Sequence, residues 1–154
     1  MTKDSHLSPR EQLGSGLLFL FAALIIAPLY WHGLPCGHDT MTHLYRIMQL
    51  VLNGEDGAPF LQWGQHFMRG YGYPIFPFYA PLLYRLVALF HTVGLDVSEA
   101  MRLVGWLSLF IAGWGGYQLG RRYLRPSGAF ITGLAYLFAP YLIFNGAQRG
   151  AFPE

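Results

Sequence analysis

Charge is what this sequence has least of. Only 12% of its 154 residues are Asp, Glu, Lys or Arg, against roughly 25% in an ordinary soluble domain. The formal net charge of +2 is small, and the arginines are interleaved with apolar stretches. No dense basic patch exists to bind nucleic acid, and none is expected as a partner. Cysteine is nearly absent too. The single Cys36 excludes an intrachain disulfide and any cysteine-based metal cluster, and it reads as an incidental thiol rather than a nucleophile. A glycine-rich phosphate loop is also missing: the GSG at Gly14 and the GWGG at Gly113 lie inside apolar runs, where helix packing explains them. What is abundant is apolar surface, with 53% hydrophobic and 17% aromatic residues. That balance predicts an all-α, polytopic membrane protein.

Residues 1–12 are polar and carry Lys3 and Arg10 against Asp4 and Glu11, a weak signal for a cytoplasmic start. Residues 13–31, LGSGLLFLFAALIIAPLYW, form one continuous apolar run of the roughly 20 residues a spanning helix needs. A signal peptide would need a small-x-small cleavage site after the run; Tyr30 and Trp31 read instead as an interfacial anchor. Residues 32–80 are too long for a helix turn and are expected to form a functional extracytoplasmic loop of amphipathic helices. Residues 81–93 are apolar but short and contain Arg85, so they either cross the membrane or dip into it. Residues 100–120 and 128–145 are clearer spans, separated by Arg121, Arg122 and Arg125. If 81–93 crosses, this arginine cluster lands on the side of the 32–80 loop, against the positive-inside tendency. If it does not, the cluster is cytoplasmic, and Arg149 and Glu154 emerge on the loop's side. The second arrangement is preferred. Residues 146–154 then begin another outer loop. They end without helix, tail or anchor, so the chain is expected to be the front of a longer protein whose C-terminal part is a natural partner.

The chemistry concentrates in Gly37 to Leu52, GHDTMTHLYRIMQLVL. At 100° per residue, Asp39, His43, Arg46 and Leu50 share one sector, and Met41, Leu44, Tyr45, Met48, Val51 and Leu52 cover the other side. This predicts a helix lying flat on the membrane, apolar side down, with Asp39 facing water. Asp39 beside His38 and one turn before His43 could position a divalent metal ion or a phosphate, with a third ligand from His66, Glu55, Glu154 or elsewhere. Equally, Asp39 could cap the helix and His43 be merely interfacial. Arg46 and Arg85 are candidates to hold an anionic group such as a lipid phosphate, Arg149 a weaker one; snorkelling to headgroups explains Arg85 as well. The segment GYGYPIFPFYAP, with Tyr71 and Tyr73, is either an aromatic interface belt or a wall that stacks a sugar or cradles a lipid.

A first span, then an outer loop whose opening helix bears Asp39-Thr-Met-Thr-His43, then a Pro- and aromatic-rich approach to the next apolar segment, resembles the C-type (GT-C) glycosyltransferases. More closely, Gly37-His-Asp39, Trp63-Gly64, Gly70-Tyr-Gly-Tyr-Pro74, Phe78-Tyr-Ala-Pro81 and Arg149-Gly-Ala151 with Pro153-Glu154 look like a bacterial membrane family described as YfhO-like or related to 6-pyruvoyl-tetrahydropterin synthase. The pterin-synthase chemistry itself does not carry over, because helices this apolar cannot form a compact soluble zinc enzyme. The GT-C resemblance implies a multi-pass protein of the inner (plasma) membrane that transfers a sugar from a polyprenyl-phosphate donor to a glycan or lipid acceptor. It places the role of base, or of metal-positioning acid, on Asp39 with His43 beside it. A second acid could come only from Glu154, and Arg46, Arg85, Arg149, Tyr71 and Tyr73 are the substrate-binding candidates. C-type enzymes often pair two acids in the first loop, whereas here His38 precedes Asp39 and Thr40 follows it. The competing class is a non-catalytic assembly, scaffold or lipid-binding protein. A transporter is disfavoured because no span carries an acid at mid-depth.

Overall fold

The computed structural model describes residues 9–57, 63–79 and 81–151. Glu154, the expected second acid, lies outside them. Among the described residues the architecture is all helical: α1 (Pro9–His32), α2 (Thr40–Glu55), α3 (Pro81–Thr92), α4 (Val97–Gly120), α5 (Pro126–Leu137) and α6 (Pro140–Phe144), followed by a wide π turn over Asn145–Arg149. The one sheet-like feature is an isolated antiparallel bridge between Gly64 and Tyr73.

Two helical stretches, Glu11–His32 and Pro126–Phe144, are long and apolar enough to cross a membrane by length and composition. The second is interrupted at Ala139, where Pro140 ends α5 and starts α6. The span expected over 100–120 forms the long helix α4, about 36 Å at 1.5 Å per residue. It is not one of the two apolar enough, because Glu99, Arg102, Gln118 and several glycines dilute its hydropathy. Helix α3 is only about 18 Å long, well short of a hydrocarbon core of roughly 30 Å. Asp96 starts α4 by accepting the Ser98 amide at 2.9 Å, an ordinary N-cap.

Helices α1, α4 and α5 pack on one another around Leu18, Ala22, Tyr117, Ala129 and Leu137. Small residues make this possible. A Cβ on Gly120 would lie 2.9 Å from the Ala129 Cα, and one on Gly133 would lie 2.9 Å from the Gly113 carbonyl oxygen and 3.1 Å from Leu18. The start of α1 is tied to the end of α4 by an ion pair between Glu11 and Arg121. At the other end, the Arg102 guanidinium sits 5.3 Å over the Tyr30 ring, so α1 and α4 run antiparallel. Helices α2 and α3 form a cap on the first half of α4, with Ile47, Leu50, Tyr84 and Val87 meeting Val97, Ala100, Met101 and Val104. Large apolar side chains on α1, α4 and α5, among them Leu24, Ile111, Leu119 and Ile131, remain exposed.

The polar sector of α2, expected to face water, packs largely against the protein. His43, Ile47, Gln49, Leu50 and Asn53 face the protein and are buried, while Met41, Tyr45 and Met48 are exposed. Burying polar groups is costly unless they are hydrogen-bonded, and His43, Gln49 and Asn53 each have a partner. Gln49 donates to Asn53 at 2.8 Å, Asn53 donates to the Trp63 carbonyl, and the His66 amide donates to Gln49. This polar ladder fastens the 63–79 segment to α2.

The glycine seam yields a paired prediction. Gly133→Ala should destabilise the protein by about 1–3 kcal/mol, because the new methyl meets backbone rather than a movable side-chain tip. Gly116→Ala, whose new Cβ would be 3.5 Å from its nearest neighbour, should be close to neutral. Thermal unfolding of the detergent-solubilised variants measures both.

Candidate functional site

The first half of the site is made by chain closure. The π turn brings Arg149 back to the start of α2, and the Asp39 amide donates to the Arg149 carbonyl at 3.1 Å. The backbones touch so closely that a Cβ on Gly37 would overlap the carbonyls of Gln148 and Arg149. Gly150 lies in the left-handed region (φ +68°), and a Cβ there would run into the Thr40 hydroxyl. Glycine is required at both positions.

This closure sets up a chain of oriented polar groups. Arg149 donates from Nη2 to Asp39 Oδ2 at 3.1 Å and from Nη1 to Asn145 Oδ1 at 3.2 Å. The carboxylate and guanidinium side chains remain 31% and 38% exposed, so the pair can meet a substrate. Asp39 occupies the N-cap position of α2 but makes no side-chain cap bond; its carboxylate goes to Arg149 instead.

The second half is a buried relay between α2 and α3. Tyr84 OH lies 2.8 Å from His43 Nδ1 and accepts from Arg46 Nη1 at 3.2 Å. Arginine only donates, so the Tyr84 oxygen is the acceptor in that bond, while its bond with His43 Nδ1 runs in the direction the imidazole tautomer sets. Arg46 also lies 3.8 Å over the Tyr79 ring, a cation–π contact. Burial works against the Arg46 charge, yet hydrogen bonds to Tyr84 and Tyr79 outweigh it and raise its pKa. Burial also pushes the Tyr84 phenol above its ordinary value of 10.0, against the opposing pull of the Arg46 guanidinium.

The expected site residues therefore separate into groups. Asp39 and Arg149 are together, and Arg46 and His43 share Tyr84 one to two turns along α2. His43 is only 2% exposed. His38 is exposed next to Asp39. Arg85 lies on the other side, lining a groove with Glu55 and His91 near the end of α2. Tyr71 and Tyr73 are exposed on the 63–79 segment. Among the described residues no three His, Cys, Asp or Glu come close enough to hold a metal ion, and Asp39 already faces a guanidinium. The described side chains around Asp39 do not by themselves make a divalent-cation site.

Tyr84, Tyr79 and Asn145 were not among the expected site residues. Asn145 does carry a sequence signal, standing four residues before Arg149 on one helical face. An apolar cleft of about 510 Å³ opens beside it between α1, α3 and α4. Comparison with known proteins adds no relative: no family model, no curated protein and no solved structure matches the chain.

Tyr84→Phe should cost about 1–3 kcal/mol, since it leaves the buried His43 Nδ1 and Arg46 short of a partner. A pH signature accompanies it. A phenol whose folded pKa is raised contributes stability that is complete below the unfolded value of 10.0 and is lost as pH rises through the folded value. Between about pH 9 and about pH 11 the wild type should therefore lose more stability than Tyr84→Phe, as read by thermal unfolding.

Proposed function

We propose that this chain is a multi-pass protein of the plasma membrane and part of a C-type glycosyltransferase that uses a polyprenyl-phosphate sugar. The observation that supports this reading is the Asp39–Arg149 pair, assembled from residues 110 positions apart, with Arg149 bonded to Asn145, a residue that lines an apolar cleft. A carboxylate and a guanidinium side by side, both partly exposed, match what the transfer demands. Asp39 takes the proton of an acceptor hydroxyl as the acceptor oxygen bonds to the anomeric carbon of the sugar. The bond from that carbon to the phosphate oxygen breaks, and the lipid phosphate leaves with the electron pair. Protonating Asp39 removes the charge that holds Arg149, and the guanidinium becomes available to the leaving phosphate, for which its planar fork is well suited. Each half of the exchange favours the other. The exposed apolar faces of the spanning helices support membrane placement, since a soluble monomer rarely leaves such large patches uncovered. The Glu11–Arg121 end would then face the cytoplasm and the Asp39 end the outside.

A second reading has its own support. The amide bond from Asp39 to the Arg149 carbonyl and the tight contact at Gly37 also describe a structural latch in a scaffold or lipid-binding protein. Magnitudes separate the two. A part-exposed ion pair is worth about 0–1 kcal/mol, and Asn can still accept from Arg149, so Asp39→Asn should leave folding and membrane level unchanged. Loss of a general base costs about 10²–10⁴-fold in rate. The test is transfer from a radiolabelled polyprenyl-phosphate sugar in membranes carrying full-length wild type or Asp39→Asn, with protein level measured alongside. Transfer reduced at least a hundredfold at equal protein level is expected. Equal transfer by both proteins would end the catalytic role of Asp39 and leave the latch.

A further inference from the structure

Helices α2 and α3 enclose a second groove, and its two charges are uncompensated. His43 and Arg46 meet Tyr84 near the start of α3, while Gly54 and Glu55 line this groove together with His91 and Thr92 at the end of α3. The two helices therefore run parallel, with their C-terminal ends side by side. Arg85, Ala88, Leu89 and Thr92 recur at i, i+3, i+4 and i+7 and make one wall; Val51, Gly54 and Glu55 make the other. The space is about 690 Å³. Arg85 directly follows Tyr84, whereas Glu55 lies nine residues beyond Arg46, about 13 Å along the helix, so guanidinium and carboxylate stand at opposite ends. Neither has a hydrogen bond or an ion pair: the ion pairs of the described residues join Glu11 to Arg121 and Asp39 to Arg149. At the Glu55 end, His91 Nδ1 lies 2.7 Å from the Leu95 carbonyl. A carbonyl only accepts, so Nδ1 carries the proton and the neutral ring leaves Nε2 as an acceptor. That end thus offers a carboxylate, an imidazole nitrogen and the partial negative charge of two helix C-termini. It suits a primary ammonium, which has three protons to donate, and Arg85 suits a phosphate. The groove also has a depth. Only residues 93–96 separate α3 from Val97 at the start of α4, and Arg102, little more than a turn further on, sits over Tyr30 at the end of the apolar stretch Glu11–His32. In a bilayer, the acceptor-rich end lies among the headgroups.

We propose that this groove binds an ethanolamine phospholipid, with the ammonium on Glu55 and His91, the phosphate on Arg85, and the start of the chains along Val51 and Leu89. One zwitterion answers both unpaired side chains at once. An anionic lipid would answer Arg85 alone, and phosphatidylcholine brings a cation with no N–H to donate. A headgroup without chains would leave the apolar lining uncovered. The inference rests on the membrane placement above and not on the transfer reaction, and its test reads no transfer.

The experiment measures tritiated phosphatidylethanolamine bound to bead-captured full-length protein in detergent micelles, with unlabelled lipids as competitors. Phosphatidylethanolamine should compete about three- to tenfold better than phosphatidylcholine or phosphatidylglycerol with the same chains. Glycerophosphoethanolamine, which has no chains, should compete at least about tenfold less well than the lipid. Glu55→Gln should remove most of the preference over phosphatidylcholine, while Arg85→Gln should weaken both lipids alike, since both carry the phosphate. Both side chains are exposed, so neither change threatens folding. Gly54→Leu, at a position where a Cβ meets nothing within 4 Å, should fill the groove and abolish the selectivity. Equal competition by phosphatidylcholine or phosphatidylglycerol in the wild type, a preference undiminished by Glu55→Gln, unchanged binding in Arg85→Gln, or a soluble headgroup as effective as the lipid would each overturn the proposal and leave the membrane placement standing. No lipid bound at all would overturn both.

Discussion

The structure turns on the return of the chain at Asn145–Ala151 to the start of α2. Without it, α6 and the π turn would have no fixed position, and neither would the end wall of the cleft. The contact is a backbone contact before it is an ionic one. Gly37 and Gly150 let two main chains meet, the Asp39 amide and the Arg149 carbonyl form a bond at 3.1 Å, and the Ala151 amide closes onto the Asn145 carbonyl at 2.9 Å. Only on that frame can the Arg149 side chain reach Asp39 and Asn145 together. A π turn supplies the extra residue that a tighter helix would not, and such turns recur where a helix must present side chains to a site.

The cap of α2 and α3 depends on a different constraint, the satisfaction of buried polar groups. His43, Arg46, Gln49 and Asn53 all lie on the inner side of one helix. In an apolar interface any one of them unpaired would cost more than the surrounding packing returns. Tyr84 answers two of them and the 63–79 segment answers the others. That explains why a loop rich in aromatics is held against a helix that appears amphipathic, and why the Met41, Tyr45 and Met48 side of α2 is the one left open.

Much of the helix placement was legible. The apolar run over 13–31 lies within Pro9–His32, the short segment at 81–93 contains the helix Pro81–Thr92, and the break before Pro126 separates α4 from α5. The amphipathic division of α2 was visible as well, but not which side the protein would cover. A 100° periodicity defines two faces and is silent about partners, and the partner that decides the matter is Tyr84, hidden in PLLYRLVALF beside the more conspicuous Arg85. Asp39 and Arg149 were both singled out, yet their meeting could not be read from either neighbourhood, since it depends on two helices reversing between them. Asn145 escaped notice because its one signal, the four-residue spacing to Arg149, carries little weight for a neutral amide.

The magnitudes indicate how these parts divide their work. Backbone closure at Gly37 and Gly150 does not depend on the Asp39 charge, and the part-exposed ion pair adds at most about 1 kcal/mol. The carboxylate is therefore not committed to stability. What it does control is orientation: its negative charge aims Arg149, and Arg149 aims Asn145. Anything that neutralises Asp39 loosens that sequence of bonds from its head.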